Sequence, residues 1–128
     1  MNDLKKRINR VEDLIVYEKA FEASMKIFHL SRNFPREEKY SLTDQILRSS
    51  RSVCANLAEA WRKRRYKAAF IHKIWECSQE AAETQTWLSF ALRCEYLNRE
   101  NYEQLTNEYE QIFAILITME RKAESFCR

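Results

Sequence analysis

The stretch "SLTDQILRSSRSVCANLAEAWRK", residues 41–63, carries an unbroken helical pattern. Its apolar side chains recur at intervals of three and four residues, which places them on one face of a helix; they are Leu42, Ile46, Val53, Leu57, Ala60 and Trp61. Ser41 precedes the pattern and is expected to cap the helix through its hydroxyl group. Asp44 follows in the first turn, where a carboxylate favours the positive end of the helix dipole. The stretch therefore predicts a long amphipathic helix over residues 42–63.

The composition of the whole chain supports helices throughout. Its 128 residues include no Gly and one Pro. Hairpin turns and phosphate-cradling loops depend on Gly for positive φ angles, so the composition argues against a β-rich fold and against a Gly-rich nucleotide loop. The apolar content of 45% and the charged content of 32% are typical of a helical domain with charged outer faces. A chain of this length is expected to form one domain, residues 1–128.

Three further helices are predicted, over about residues 14–33, 66–94 and 99–125. Asn98 is expected to cap the last of them. Four helices joined by short connections predict an all-α fold, an up-down-up-down antiparallel four-helix bundle. Residues 1–12 are expected to be mobile.

The third and fourth helices carry more apolar residues than one core face requires. Trp75 and Trp87 lie off the core stripe of the third helix, which predicts a second buried contact. Phe113, Ile115 and Ile117 lie outside the seam of the fourth helix. Because a helix that is apolar on more than one side needs more than one neighbour, the pattern predicts association into an oligomer.

Metal-binding and catalytic patterns do not emerge from the sequence. The chain has two histidines and four cysteines without a CxxC pair; they are His29, His72, Cys54, Cys77, Cys94 and Cys127. Their spacings favour buried or surface thiols over a zinc site. Paired carboxylates with a nearby His are also missing. We therefore expect no enzyme activity, no cofactor and no metal.

A cytoplasmic protein is expected. No apolar run approaches the ~18 residues of a membrane span. The N-terminal stretch "MNDLKKRINRVEDL" also lacks the apolar region of a signal peptide.

A local excess of positive charge follows the second helix. Residues 48–73 contain eight Lys or Arg residues and one acid, Glu59, so this segment has a charge of +7 and the remainder −4. The densest part is "AWRKRRYKAAF", residues 60–70, in which Trp61 and Phe70 are expected to belong to the core. Cations at a helix–helix corner can cover one end of a bundle, and Tyr66 can stack on a base. The predicted nucleic-acid contacts are Arg48, Arg51, Arg62, Lys63, Arg64, Arg65, Tyr66, Lys67 and Lys73.

An alternative interpretation of the same run needs no ligand. Cations near the C-terminus of a helix complement its negative dipole end. Arg62 and Lys63 can also pair with Glu59 at spacings of three and four residues. Under this interpretation the run is a solvated helix end.

A polar stripe lies opposite the apolar face of the second helix. Gln45, Asn56 and Glu59 belong to it, and a single carboxylate without a nearby base makes poor acid–base machinery. We interpret the three as structural residues that form hydrogen bonds between helices or subunits, and Arg48 as a residue that can pair with an acid of a neighbouring subunit.

The chain resembles the bacterial four-helix-bundle proteins encoded within intervening sequences of 23S ribosomal RNA genes. The resemblance extends from Asp13 to Lys122 and is carried by "YSLTDQILRSSRSVCANLAEA", residues 40–60, with support from "DLIVY", residues 13–17, and from Phe34–Pro35. The residues that match the pattern are Leu42, Gln45, Ile46, Arg48, Ser52, Asn56, Ala58 and Glu59. The resemblance implies a homopentameric ring. It also implies kinship with the accessory variability proteins of diversity-generating retroelements, which bind nucleic acid and a reverse transcriptase.

Two positions depart from the family pattern, because relatives usually have Gly where this chain has Ala60 and Glu95. Ala60 is expected to extend the second helix through Trp61 and the basic residues. Glu95, if it adopts positive φ, costs about 1 kcal/mol.

The leading hypothesis is a non-enzymatic homopentameric accessory protein that binds RNA, DNA or both electrostatically. The alternative is a scaffold that recruits a protein partner such as a reverse transcriptase and has no independent nucleic-acid role. A nuclease is the third candidate, and the chain lacks the acid–base and metal groups that it needs.

Overall fold

The computed structural model describes residues 8–127. Its helices are α1 (Ile15–Ser31), α2 (Leu42–Arg62), α3 (Lys67–Arg93), α4 (Arg99–Arg121) and the short α5 (Ala123–Phe126). Turns of 3₁₀ helix cover Val11–Asp13 and Arg36–Glu38, and the described part of the chain contains no strand. The all-α prediction is confirmed. None of the described helices is both long and apolar enough to cross a membrane.

Hydrogen bonds between the helices establish their directions. For each of three pairs of helices, two bonds can be compared, and the bond with the higher residue number in one helix has the lower residue number in the other. The two helices of each pair are therefore antiparallel. The bonded pairs are Lys19–Gln111 and Lys26–Gln104 between α1 and α4, Ser49–Thr84 and Asn56–Lys73 between α2 and α3, and Gln85–Glu110 and Ser89–Tyr102 between α3 and α4. With α1 also packed on α2, the four long helices form a closed antiparallel bundle.

The bundle encloses one core to which all four long helices contribute. Its largest fully buried side chains include Ile27, Leu57, Phe70 and Tyr109. Burial of one such side chain contributes roughly 1.5–3 kcal/mol to folding. Trp61 is 7% exposed and also lies in the core, so the predicted core positions of Trp61 and Phe70 are confirmed.

Of the extension expected at Ala60, the part through Trp61 and Arg62 is confirmed, whereas the basic residues after Arg62 lie outside the helix. The second helix continues through Ala60 and ends at Arg62, which brings the start of the basic run into the helix. Glu95 follows α3 with a φ of 66°, the one positive φ angle among residues 8–127. The sequence therefore places a strained, non-glycine residue at the end of α3.

Ser41 is the N-cap residue of α2, as predicted, but its side chain makes no capping bond, whereas the predicted cap of the fourth helix is fully confirmed. The Ser41 hydroxyl donates to Glu38 Oε1 at 2.8 Å, and the backbone N–H of Leu42 donates to the same oxygen at 3.2 Å. The Glu38 carboxylate therefore accepts a hydrogen bond from the first backbone N–H of α2. The bonds from Ser41, Tyr96 and Leu42 lower the pKa of the Glu38 carboxyl group. Asn98 does cap α4, since its side-chain oxygen accepts from the backbone N–H of Asn101 at 2.7 Å.

The ends of the chain differ from the predicted segments. The last helix divides at Lys122, whose φ of −107° and ψ of 34° separate α4 from α5. Residues 1–12 are predicted to be mobile, and the first seven of them, residues 1–7, lie outside the described residues. The Asn9 carbonyl accepts a hydrogen bond from the Trp61 indole at 3.3 Å, so residues near the N-terminus contact the end of α2.

The surplus apolar residues are distributed between the core margin and the surface. Trp87, Phe113 and Ile115 are partly buried and pack against the core. Trp75 is 50% exposed and Ile117 is 52% exposed. The second buried contact predicted for Trp75 is therefore absent within the described chain, where its ring neighbours that of His72 at a centroid distance of 6.3 Å.

Candidate nucleic-acid interface

The densest cations lie where α2 turns into α3, and we call residues Arg62–Lys67 the basic corner. The backbone bonds that close the turn include one from Lys63 N–H to the Glu59 carbonyl at 3.1 Å and one from Tyr66 N–H to the Lys63 carbonyl at 3.0 Å. The side chains of Arg62, Lys63 and Arg65 are exposed, as is Tyr66 at 66%. The corner therefore presents three cations and one phenol ring within five consecutive residues.

Lys67 is also exposed, but it has an acidic neighbour. Its Nζ lies 3.0 Å from Glu124 Oε2 in α5, and hydrogen bonding to Lys67 lowers the pKa of that carboxyl group. Because both side chains are largely exposed, the pair contributes little to stability. It does reduce the positive field of Lys67, so Arg62, Lys63 and Arg65 carry most of the potential of the corner.

Arg64 differs from the other cations of the corner because it is half-buried. Its guanidinium carbon lies 3.6 Å from the centroid of the Trp61 ring, and its Nε donates to the Trp61 carbonyl at 2.7 Å. The indole of Trp61 is itself fixed by its bond to Asn9. A cation over an indole face is attracted by the ring quadrupole, so Arg64 holds a defined orientation.

A groove runs alongside the corner. It has a volume of ≈ 1080 Å³, and one wall is formed by residues 9–12 and the other by the end of α2. Arg62, Lys63, Arg64 and Arg65 all line it. The fold thus brings four of the predicted contact residues to a single concave surface.

Lys73 lies apart from this groove, in a cluster between α2 and α3. Its Nζ is 2.7 Å from Glu59 Oε1, 2.8 Å from Glu76 Oε1 and 3.3 Å from Asn56 Oδ1. Hydrogen bonding, first to Glu59 and then to Glu76, raises the pKa of Lys73, and the same contact lowers that of Glu76. The predicted pairing of Glu59 with Arg62 and Lys63 is wrong, since Glu59 pairs with Lys73. Two carboxylates neutralise the Lys73 charge, so we exclude it from the interface.

Arg48 and Arg51 form a second, separate basic patch on the outer face of α2. Arg62 lies eleven positions after Arg51 in the same helix, about 16 Å further along the axis. Both arginines line a shallow groove of ≈ 440 Å³, and the guanidinium carbon of Arg51 lies 5.9 Å from the Phe28 ring centroid. Gln45 is half-buried near the start of the same helix. The structure therefore does not join these arginines to the basic corner.

The thiols offer no reactive centre in the core. Burial raises the pKa of Cys54 to about 11 and that of Cys77 to about 12, which leaves both as neutral thiols of low nucleophilicity. Between residues 8 and 127, no three His, Cys, Asp or Glu side chains are grouped closely enough to hold a metal ion.

Sequence reasoning missed the contact between Trp61 and Arg64. Its only local signal is their spacing of three residues across the end of α2, with Trp61 in the helix and Arg64 in the turn that follows. The contribution of Asn9 has no such signal, because the residues that meet are 52 positions apart.

The fold and this surface define a class: small antiparallel four-helix bundles with a cationic groove at one end. The chain belongs to the 23S rRNA-intervening sequence protein family, whose family model matches residues 12–118. A crystal structure of a protein with unknown function, from the S23 ribosomal protein family of Bacteroides thetaiotaomicron, is 36% identical to this chain. The match covers 83% of this chain and 98% of the Bacteroides thetaiotaomicron chain, with a TM-score of 0.74. No curated protein matches the chain.

Proposed function

We propose that this protein is a non-enzymatic accessory protein that binds RNA, DNA or both through the basic corner. The observation that carries the proposal is the convergence of Arg62, Lys63, Arg64 and Arg65 on one groove. Cations on one concave surface neutralise neighbouring phosphates and release counterions, which drives binding with little dependence on sequence. Arginine is the majority type here, and its planar fork suits phosphate oxygens better than the point charge of lysine.

The proposal includes a homopentamer, which the family resemblance implies. The exposed apolar residues support association, because Trp75, Phe90 and Ile117 are each at least half exposed on the single chain. A ring of identical subunits would repeat the basic corner around its rim. The positive potential of several corners would add, which strengthens attraction to a long polyanion.

A salt titration of binding tests the nucleic-acid proposal. If Arg62, Lys63 and Arg65 each neutralise one phosphate of a single strand, the logarithm of the binding constant falls against the logarithm of salt with a slope of about −2 per subunit. Changing Arg62 and Arg65 to Glu is expected to abolish most of the binding and to flatten the slope. Arg64 is left unchanged because it packs on Trp61.

A matched control separates the corner from net charge. Arg36 and Arg93 are exposed at the opposite end of the bundle, and changing both to Glu alters the net charge equally. This variant is expected to keep nearly native binding and slope. Equal losses in the two double variants, or native binding that is insensitive to salt, would contradict the proposal.

A scaffold that recruits a protein partner, such as a reverse transcriptase, is the second candidate function. The exposed apolar residues favour it, because Trp75 and Ile117 offer surface that a protein can cover. The scaffold predicts loss of partner binding when these residues are changed to Glu, with no measurable affinity of the protein itself for nucleic acid. A reverse-transcriptase gene beside the gene for this protein would favour this candidate.

A further inference from the structure

The Trp61–Arg64 pair forms a planar, cationic platform within the groove. The guanidinium carbon lies 3.6 Å from the indole centroid, a stacking distance, and the bond from Nε to the Trp61 carbonyl fixes the side chain from behind. Trp61 is 7% exposed and is bonded to the Asn9 carbonyl, so the platform has a rigid base. An arginine side chain normally loses considerable rotamer freedom on binding, and here much of that freedom is already lost.

The platform is reachable from two sides. Arg64 lines the ≈ 1080 Å³ groove together with Arg62, Lys63 and Arg65. It also lines a second groove of ≈ 330 Å³ that includes Phe126. A ligand that enters the larger groove therefore lies beside Arg64, with three exposed cations around it.

These observations distinguish between paired and unpaired nucleic acid. A base within a duplex is covered on both faces by its neighbours, so it has no face left for a protein group. A base in a single strand, loop or bulge can be turned out and stacked on an aromatic ring or on an arginine plane. Exposed cations alone bind either form, whereas a fixed stacking platform between them favours the unpaired form.

We propose that this groove binds an unpaired nucleotide, with its base stacked on the Arg64–Trp61 platform and the flanking phosphates on Arg62, Lys63 and Arg65. This inference rests on the proposed function and adds the class of nucleic acid. The ligand is single-stranded RNA or DNA, or a loop of a folded RNA. Stacking is tolerant of sequence because every base has a π-face, so little base preference is expected.

Fluorescence anisotropy with four short labelled probes of equal length tests the inference. The probes are a mixed-sequence RNA strand, the same sequence as DNA, an abasic strand that keeps the phosphates, and a blunt duplex. At least one of the base-containing strands is expected to bind roughly 5- to 150-fold more tightly than the abasic strand, the range expected for one stacked base. The duplex is expected to bind no better than the abasic strand.

The variant Arg64→Lys isolates stacking from charge. Lysine keeps the positive charge but has no planar group, so affinity for the base-containing strand is expected to fall by about 5-fold or more. Affinity for the abasic strand is expected to remain unchanged, which also demonstrates that the variant is folded. Arg93→Lys, at the opposite end of the bundle, is the matched control and is expected to change neither affinity.

The outcomes separate this inference from the proposed function. Binding that depends on Arg62 and Arg65 but is equal for abasic, single-stranded and duplex probes keeps the function and overturns the platform. Equal losses for the base-containing and abasic strands in Arg64→Lys also overturn it, because Arg64 would then be an ordinary phosphate contact. Absence of binding to every probe overturns the proposed function and the platform together.

Discussion

At the scale of single residues, Glu95 shows how one position stores strain without losing the fold. Its φ of 66° places a residue with a Cβ atom in the left-handed region, which costs about 1 kcal/mol. The neighbouring contacts hold it there. The backbone N–H of Tyr96 donates to the Ala91 carbonyl at 2.9 Å, closing the end of α3, and Leu97 is buried. The geometry of the helix end is thus kept by bonds and burial around a residue that disfavours it.

The variant Glu95→Gly is expected to stabilise the protein. Gly adopts positive φ without the clash of a Cβ atom, so the free energy of unfolding should rise by up to about 1 kcal/mol. Urea denaturation followed by circular dichroism measures the change. The same substitution at Glu83, an exposed position in the middle of α3, should instead lower the stability by about 1 kcal/mol. A loss of stability in Glu95→Gly would refute the strain argument.

At the scale of elements, α2 and α3 are the most tightly connected pair in the bundle. The Ser49 and Thr84 hydroxyl groups lie 2.8 Å apart inside their interface. Nearer the basic corner, Lys73 reaches across to Glu59 and Asn56. Both contacts join the same two helices, so they fix the direction in which the corner projects from the bundle.

The variant Lys73→Met tests whether this lysine belongs to the interhelical cluster alone. Loss of its ion pairs should lower the free energy of unfolding by about 1 kcal/mol or less, because Glu59 and Glu76 are solvent-accessible. The affinity for a single-stranded probe at moderate salt should stay within about twofold of native, since a local pair of carboxylates already neutralises the lysine. A folded variant with a much larger loss of affinity would return Lys73 to the interface.

At the scale of the whole molecule, charge and exposed apolar area occupy different regions. The basic corner lies where α2 meets α3, whereas Trp75 and Ile117 lie on α3 and α4. Because α3 and α4 are antiparallel, the residue numbers of hydrogen-bonded partners in the two helices add up to a nearly constant value, between 191 and 195. The numbers of Trp75 and Ile117 add up to a value within the same range. Trp75 and Ile117 thus occupy facing register positions, and we expect them to form one exposed apolar patch that contacts another copy and lies apart from the basic corner.

Replacement of Trp75 and Ile117 with Glu tests the role of this patch in assembly. The native protein is expected to have the mass of a homopentamer by light scattering, and the double variant that of a smaller species, because buried carboxylates oppose association. Changing the exposed Thr86 and Asn107 to Glu adds the same charge elsewhere on the two helices and should preserve the native mass. An unchanged mass in the Trp75 and Ile117 variant would assign the interface to another surface.

Local rules predicted the features of this protein that depend on neighbours in sequence. Apolar periodicity predicted the four long helices, Asn98 was recognised as a cap, and Ala60 in place of Gly predicted that α2 continues through Trp61. These succeed because helix formation and capping are governed by residues within about four positions of one another. The Ser41 side chain makes no capping bond because its hydroxyl group donates to the Glu38 carboxylate three residues earlier.

Tertiary structure decided which of the predicted contact residues share a surface. The sequence by itself determined the helical class, the single bundle and the local excess of positive charge, since these follow from composition and periodicity. Only the fold separated Lys73 and Arg51 from the corner and brought Asn9 to Trp61, 52 residues away in sequence. Side-chain partners across helices depend on packing angle and register, and no local pattern encodes these directly. The groove and its platform therefore exist only in the folded chain.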